Sequence, residues 1–164
     1  MNMANEFLEI KTSQDLVQAL AKAKEIEEAF EEVLHWRGFL TIEDSETGGL
    51  LGRLVRDSET HERLVDSLIR MLEPFASTRR EIRSAPIVID GDDEGQFLQK
   101  LLEGEDLAYY VYSAILDALI HLDPQSIGGE QNAAEMRQVL GQLVSAERKH
   151  RELVSQLLAA RSPP

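Results

Sequence analysis

With 164 residues, 43% of them hydrophobic and 29% charged, the chain carries enough apolar material for one core and is not of disordered composition. Thirty acidic residues against 17 basic ones give a formal charge of −13. Such a surface repels phosphate backbones and lacks polybasic attraction for anionic lipid, so neither nucleic acid nor a membrane is an expected partner.

Cysteine is absent, which excludes disulfides, thiolate catalysis, iron–sulfur clusters and cysteine-type zinc sites. No apolar run reaches the roughly 18 residues needed to span a bilayer. The opening MNMANEFLEI lacks a basic segment followed by an apolar run, so a cytoplasmic protein is expected. Aromatic residues make up only 5%, and Ala, Leu, Glu, Gln and Arg dominate; these are helix formers, and an all-α fold is expected.

The first predicted helix follows the capping-box-like Thr12-Ser13-Gln14-Asp15 and runs to about Arg37, before Gly38. Its apolar stripe includes Leu16, Leu20, Ala23, Phe30 and Leu34. The second starts after Gly48-Gly49 and stops at Pro74, with Leu51, Leu54, Val55, Val65, Leu68, Ile69 and Leu72 inward. The third runs from Asp92-Asp93 to Leu122, just before Asp123-Pro124. The fourth begins after Gly128-Gly129 and ends near Ala160.

Short glycine-bearing connections join helices one and two, and three and four, so each pair is expected to form an antiparallel hairpin. Between the hairpins lies a longer stretch, about 75–91, in which Pro86 and Ile87-Val88-Ile89 favour extended chain. About 17–20 extended residues reach about 55–65 Å. A helix of about 24 residues is only about 36 Å long. The connection can therefore cross the whole bundle, giving one four-helix domain over residues 1–164 with its core at about 14–160. The alternative is an up-down-up-down bundle with a surface loop.

Polar residues interrupt the apolar stripes at matched positions. On helix four, Met136, Val139, Leu140 and Leu143 lead to Glu147 and His150, and then to Val154 and Leu157. Glu147-x-x-His150 places a carboxylate and an imidazole on one helix face, able to hold one metal ion, and an unpaired carboxylate there costs several kcal/mol. On helix three, Leu98, Leu101 and Leu102 lead to Glu105, followed by Ala108 and Tyr112. Glu105 and Glu147 are equally distant from a turn centred near Ser126, so they are expected to be level across the core. The first hairpin offers Glu27, His61 and Glu62, with Ser58 beside them, at about one level. Glu27, Glu28, Glu31 and Glu32 can equally form a solvated acidic face. His35 and His121 lie near helix ends, where a cation suits the helix dipole.

Glu105-x-x-Ala108-x-x-x-Tyr112, Glu147-x-x-His150-x-Glu152-Leu153 and His61-Glu62-Arg63-Leu64-Val65 resemble motifs of the ferritin-like superfamily, and within it the rubrerythrin-type di-iron carboxylate proteins. The resemblance covers about residues 14–160 and implies a bundle of two helical hairpins joined by one long crossover. It implies two irons held by glutamates and histidines, with oxygen or peroxide as oxidant in a ferroxidase or peroxide-scavenging oxidoreductase, and a possible homodimer. Carried over by position, Glu105, Glu147, His150 and His61 match, Glu27 competes with Ile26 for the helix-one site, and Glu62 is the nearest substitute for a helix-two carboxylate. Ser58 stands where that carboxylate is expected, and no cysteine-bound electron-transfer module is present. Imidazole with carboxylate suits iron, manganese or zinc alike. The alternative function is a bundle without chemistry that serves as an interaction or oligomerisation module.

Overall fold

The computed structural model describes residues 9–32, 42, 45–78 and 87–161. Thr12 opens helix α1 (Ser13–Glu31) with a complete capping box: its hydroxyl accepts from the Asp15 amide, and the Asp15 carboxylate accepts from the Thr12 amide. The predicted continuation to Arg37, with Leu34, His35 and Trp36, lies outside the described residues.

Helix α2 (Ser45–Leu72) begins one turn earlier than expected, because Gly48 and Gly49 are inside it. Two glycines cost a helix about 1 kcal/mol each, but the first turn is anchored. Thr47 is buried, and its hydroxyl accepts from the Arg161 guanidinium at 2.6 Å. Helix α3 (Glu94–His121) is capped by Asp93, whose side chain accepts from the Gln96 amide. A 3-10 turn (Pro124–Ile127) leads to Gly128 and Gly129, both with positive φ near 95°, and then to helix α4 (Glu130–Arg161). A side chain at Gly128 is strained by that φ and meets the Phe75 ring as well.

Cross-helix pairs fix the topology. Lys24 meets Asp66 and Ser13 meets Phe75, so α1 and α2 are antiparallel. Asp106 meets Arg151, and Leu119 meets Arg137, so α3 and α4 are antiparallel. Tyr112 meets Glu27 while Gly104 faces Phe30, which makes α1 and α3 antiparallel too. Being opposed to the same helix, α2 and α3 run parallel. The chain between them must therefore return along the length of the bundle, as the crossover expectation requires. Its start is fastened to α1 by the reciprocal pair between Gln14 and the Ser77 backbone. Its described end, residues 87–90, is irregular, with Ile89 buried.

The architecture is thus an all-α bundle of four helices in which each packed pair is antiparallel, with no strand among the described residues. None of its helices is long and apolar enough to cross a membrane. Leu16, Leu20, Leu68, Leu72, Ile115, Leu119 and Leu140 fill one half of the core, and Phe30, Leu51, Leu98, Leu101 and Val154 fill the other. Each such burial stabilises the fold by about 1.5–3 kcal/mol. Between these layers lies a polar one.

Candidate metal centre

Five ionisable side chains reach the polar layer from four helices. Glu27 comes from α1, His61 from α2, Glu105 from α3, and Glu147 and His150 from α4. The three carboxylates are 0–1% exposed and both histidines 6%, values that belong to core residues. The helix period is what puts them there. Glu147 and His150 continue the stripe of Met136, Leu140 and Leu143, and His61 sits one turn from Val65 on the stripe of α2.

Glu147 is the hub. Its Oε1 lies 2.7 Å from Nδ1 of His61, and its Oε2 lies 3.7 Å from Nδ1 of His150. Around it stand two flanking pairs. Nδ1 of His61 is 3.4 Å from Glu27 Oε1, and Nδ1 of His150 is 3.5 Å from Glu105 Oε2. The two imidazoles stack with centroids 5.5 Å apart. Tyr112 donates its hydroxyl hydrogen to Glu27 Oε1 at 2.6 Å, and Nε2 of His150 lies 3.2 Å from Asp57 Oδ2.

Proximity here is not the same as hydrogen bonding. Both oxygens of Glu147, Oε2 of Glu27, Oε2 of Glu105 and Nδ1 of His61 are buried and make no hydrogen bond of acceptable geometry with the protein. A buried polar atom with no partner at all costs about 1–3 kcal/mol, and here the ion-pair contacts with the two imidazoles offset part of that cost. A bound cation is one of the few arrangements that satisfies several converging acceptors at once. Donor atoms of His61, Glu147 and His150 all lie within 4.8 Å of one another. Among the described residues this is the one histidine–carboxylate group so placed.

The electrostatics of the metal-free layer follow from crowding charges in a dry space. Burial raises the Glu27 carboxyl, and burial likewise lifts Glu105 to about 8, with the nearby charge of Glu147 adding to it. Burial also opposes ionisation of Glu147, but the adjoining His150 and His61 outweigh it and bring that carboxyl to about 2. For the imidazoles burial works against charge, yet the surrounding carboxylates win, holding His61 up at about 9 and His150 at about 11. Burial and then Glu27 push the Tyr112 phenol well above its ordinary range.

The six side chains expected at a metal centre therefore divide. Glu27, His61, Glu105, Glu147 and His150 come together, with Ile26 packed in the core beside Glu27. Glu62 points to the α1–α2 flank, where its carboxylate lies 3.1 Å from Lys24 and beside Glu31. Ser58 is buried, and it contributes no carboxylate at the helix-two position. Glu105 and Glu147 do interact across the hairpin, but they are not level as expected. The 3-10 turn and two glycines move the centre of the hairpin toward α4, so Glu105 stands level with His150 and Glu147 lies one turn closer to the turn. Asp57 was not singled out by the sequence. It precedes His61 by one helical turn, and that spacing is the only sign of it, because its partner His150 is on another helix.

The chain matches no family model, and no curated protein and no solved structure is significantly similar to it.

Proposed function

We propose that the protein is a ferritin-like metal-binding protein that holds one or two ions of iron, manganese or zinc in the polar layer. The observation that carries this reading is the convergence of Glu147, Glu105, Glu27 and His61 with buried donor atoms that the protein itself does not hydrogen-bond. Two imidazoles and three carboxylates form a donor set suited to those ions. Glu147 directs one oxygen to each flanking pair, as a bridging carboxylate would, with Glu27–His61 on one side and Glu105–His150 on the other.

The neighbouring groups support that role. Tyr112 fixes the orientation of Glu27, and Asp57 engages the far nitrogen of His150, so that Nδ1 is turned to the carboxylates. The apolar layers close the site above and below along the bundle axis. Bound there, a pair of redox-active ions would supply oxidation chemistry with dioxygen or peroxide, which makes a ferroxidase or peroxide-scavenging oxidoreductase the activity to test first. The rival reading, a bundle used only for interaction, draws on Ser58, which removes one carboxylate from a two-ion site.

Metal analysis of the purified protein and of a Glu147→Ala/His150→Ala variant, both checked for helicity by circular dichroism, separates the readings. About one to two ions per chain are expected in the parent, with loss of most of that metal in the folded variant. Equal, near-zero contents in both would leave the polar layer without a metal role.

A further inference from the structure

The seam between α2 and α4 is open beside the polar layer. A cavity of about 730 Å³ lies there, and His61 and His150 form part of its wall. That volume falls in the range of about 300–1,000 Å³ typical of sites for small organic molecules, and it is far larger than oxygen, peroxide or a lone inorganic anion requires. Helix periodicity builds both sides. Arg53, Asp57 and His61 follow at intervals of four along α2, while Gly141, Ser145 and Lys149 do the same along α4. The small residues make the room. Nothing lies within 4 Å of where a Cβ on Gly141 would be.

The charge of the lining is opposite to that of the chain. In a protein of formal charge −13, the cavity has two permanent cations, Arg53 and Lys149, against one carboxylate, Asp57. Asp57 is already engaged by His150 at 3.2 Å. No ion pair involves Arg53 or Lys149 among the described residues. At physiological ionic strength fields fade over about 8 Å, so an occupant at the mouth feels these two cations first, while the carboxylates of Glu27, Glu105 and Glu147 stand behind the two imidazoles. Leu153 and Ala146 add apolar wall, and Gln138, Gln142 and Ser145 add hydrogen-bonding groups. At the inner end stand the rings of His61 and His150, each 6% exposed, with Nδ1 of His61 turned to Glu147.

We infer that the α2–α4 cleft is a binding site for a small organic carboxylate, held at its charged end by Arg53 and Lys149 and with its body lying toward His61 and His150. This goes beyond the metal reading and does not require it, since the cations and the cavity belong to the chain alone.

Hexanoate is the probe, with hexanol as an uncharged molecule of the same length, titrated by calorimetry into the protein as purified and again after chelator treatment. Saturable binding of hexanoate is expected in both preparations, with hexanol at least about tenfold weaker. Arg53→Gln/Lys149→Gln is expected to weaken hexanoate by about tenfold or more. Arg148→Gln, the same kind of charge change just outside the cleft, should leave it unaltered. Gly141→Phe fills the cavity from a helix position open to a side chain and should abolish binding while the circular dichroism spectrum is retained. The inference is overturned by absent saturation, by hexanol binding as well as hexanoate, by equal losses in Arg148→Gln, or by undiminished binding in Gly141→Phe. Hexanoate binding by a protein that as purified contains almost no metal would sink the metal reading and leave this one standing. Metal without binding would do the reverse.

Discussion

Loading the polar layer with a divalent cation at pH 7 is expected to release at least about three protons, because three prospective ligands hold a proton in the metal-free chain and burial raises the Glu27 carboxyl as well. They are Glu105, raised to about 8, His61, at about 9, and His150, at about 11. Glu147, at about 2, is already ionised. Each displaced proton makes affinity rise about tenfold per pH unit, so affinity is expected to climb steeply between pH 6 and pH 7. The dependence must then flatten. As pH passes 8 and then 9, Glu105 and His61 lose their protons unaided, and by pH 9 fewer than about two of these three remain to be displaced. Calorimetric titration with Zn(II) in several buffers of different ionisation enthalpy reads the number directly, as the slope of apparent enthalpy against buffer enthalpy. A slope near zero at pH 7, or one that grows toward pH 9, would refute the placement of these groups around the ion.

The same shifts govern the stability of the metal-free protein. Glu105 favours its neutral form in the fold, so its contribution is complete below about 4.5 and is lost as pH rises through about 8. The raised histidines contribute fully below about 6.5 and lose that contribution as pH rises through about 9 and about 11. Glu147 acts in the opposite sense, contributing above about 4.5 and failing as pH falls through about 2. Thermal melting of chelator-treated protein should therefore peak at mildly acidic pH and decline toward pH 9; a Tm that rises over that interval contradicts the account. Tyr112→Phe removes the donor to Glu27 in a dry site and should lower stability by about 1–3 kcal/mol in urea unfolding. Ser58→Glu places a further buried carboxylate beside the layer. It should lower the metal-free Tm and regain it on adding Mn(II) or Zn(II), whereas a Tm indifferent to metal would place residue 58 away from any ion.

Much of the bundle could be read from the chain because the helix period is a local signal. The stripes of α3 and α4, the proline at 74 and the glycines at 128 and 129 mark elements whose bounds need no partner to be recognised. Interruption of those stripes by Glu105, Glu147 and His150 was equally visible, since a charge at a core phase is anomalous without any knowledge of contacts. What escaped depended on partners far away in sequence. The early start of α2 rests on Thr47 meeting Arg161, which no local rule supplies. Glu62 and Asp57 flank the stripe of α2 on either side, and only packing decides that one faces Lys24 and the other His150. The register of the second hairpin moved by one turn because a 3-10 segment takes up residues asymmetrically, an effect invisible to counting from the middle of a loop.

The return of the chain along the whole bundle also decides where the two ends of the helical set lie. With every neighbouring pair opposed, α1 and α4 point the same way, so Ser13 and Arg161 sit at opposite poles. A helix of the 32 residues of α4 is about 48 Å long. Rejoining those poles in a circular permutant would take a linker of about 15 extended residues, whereas opening the chain at the 3-10 turn disturbs only a short connection. Fused partners at the two poles would be held apart by the length of the bundle, and repeated copies joined head to tail would extend as a rod.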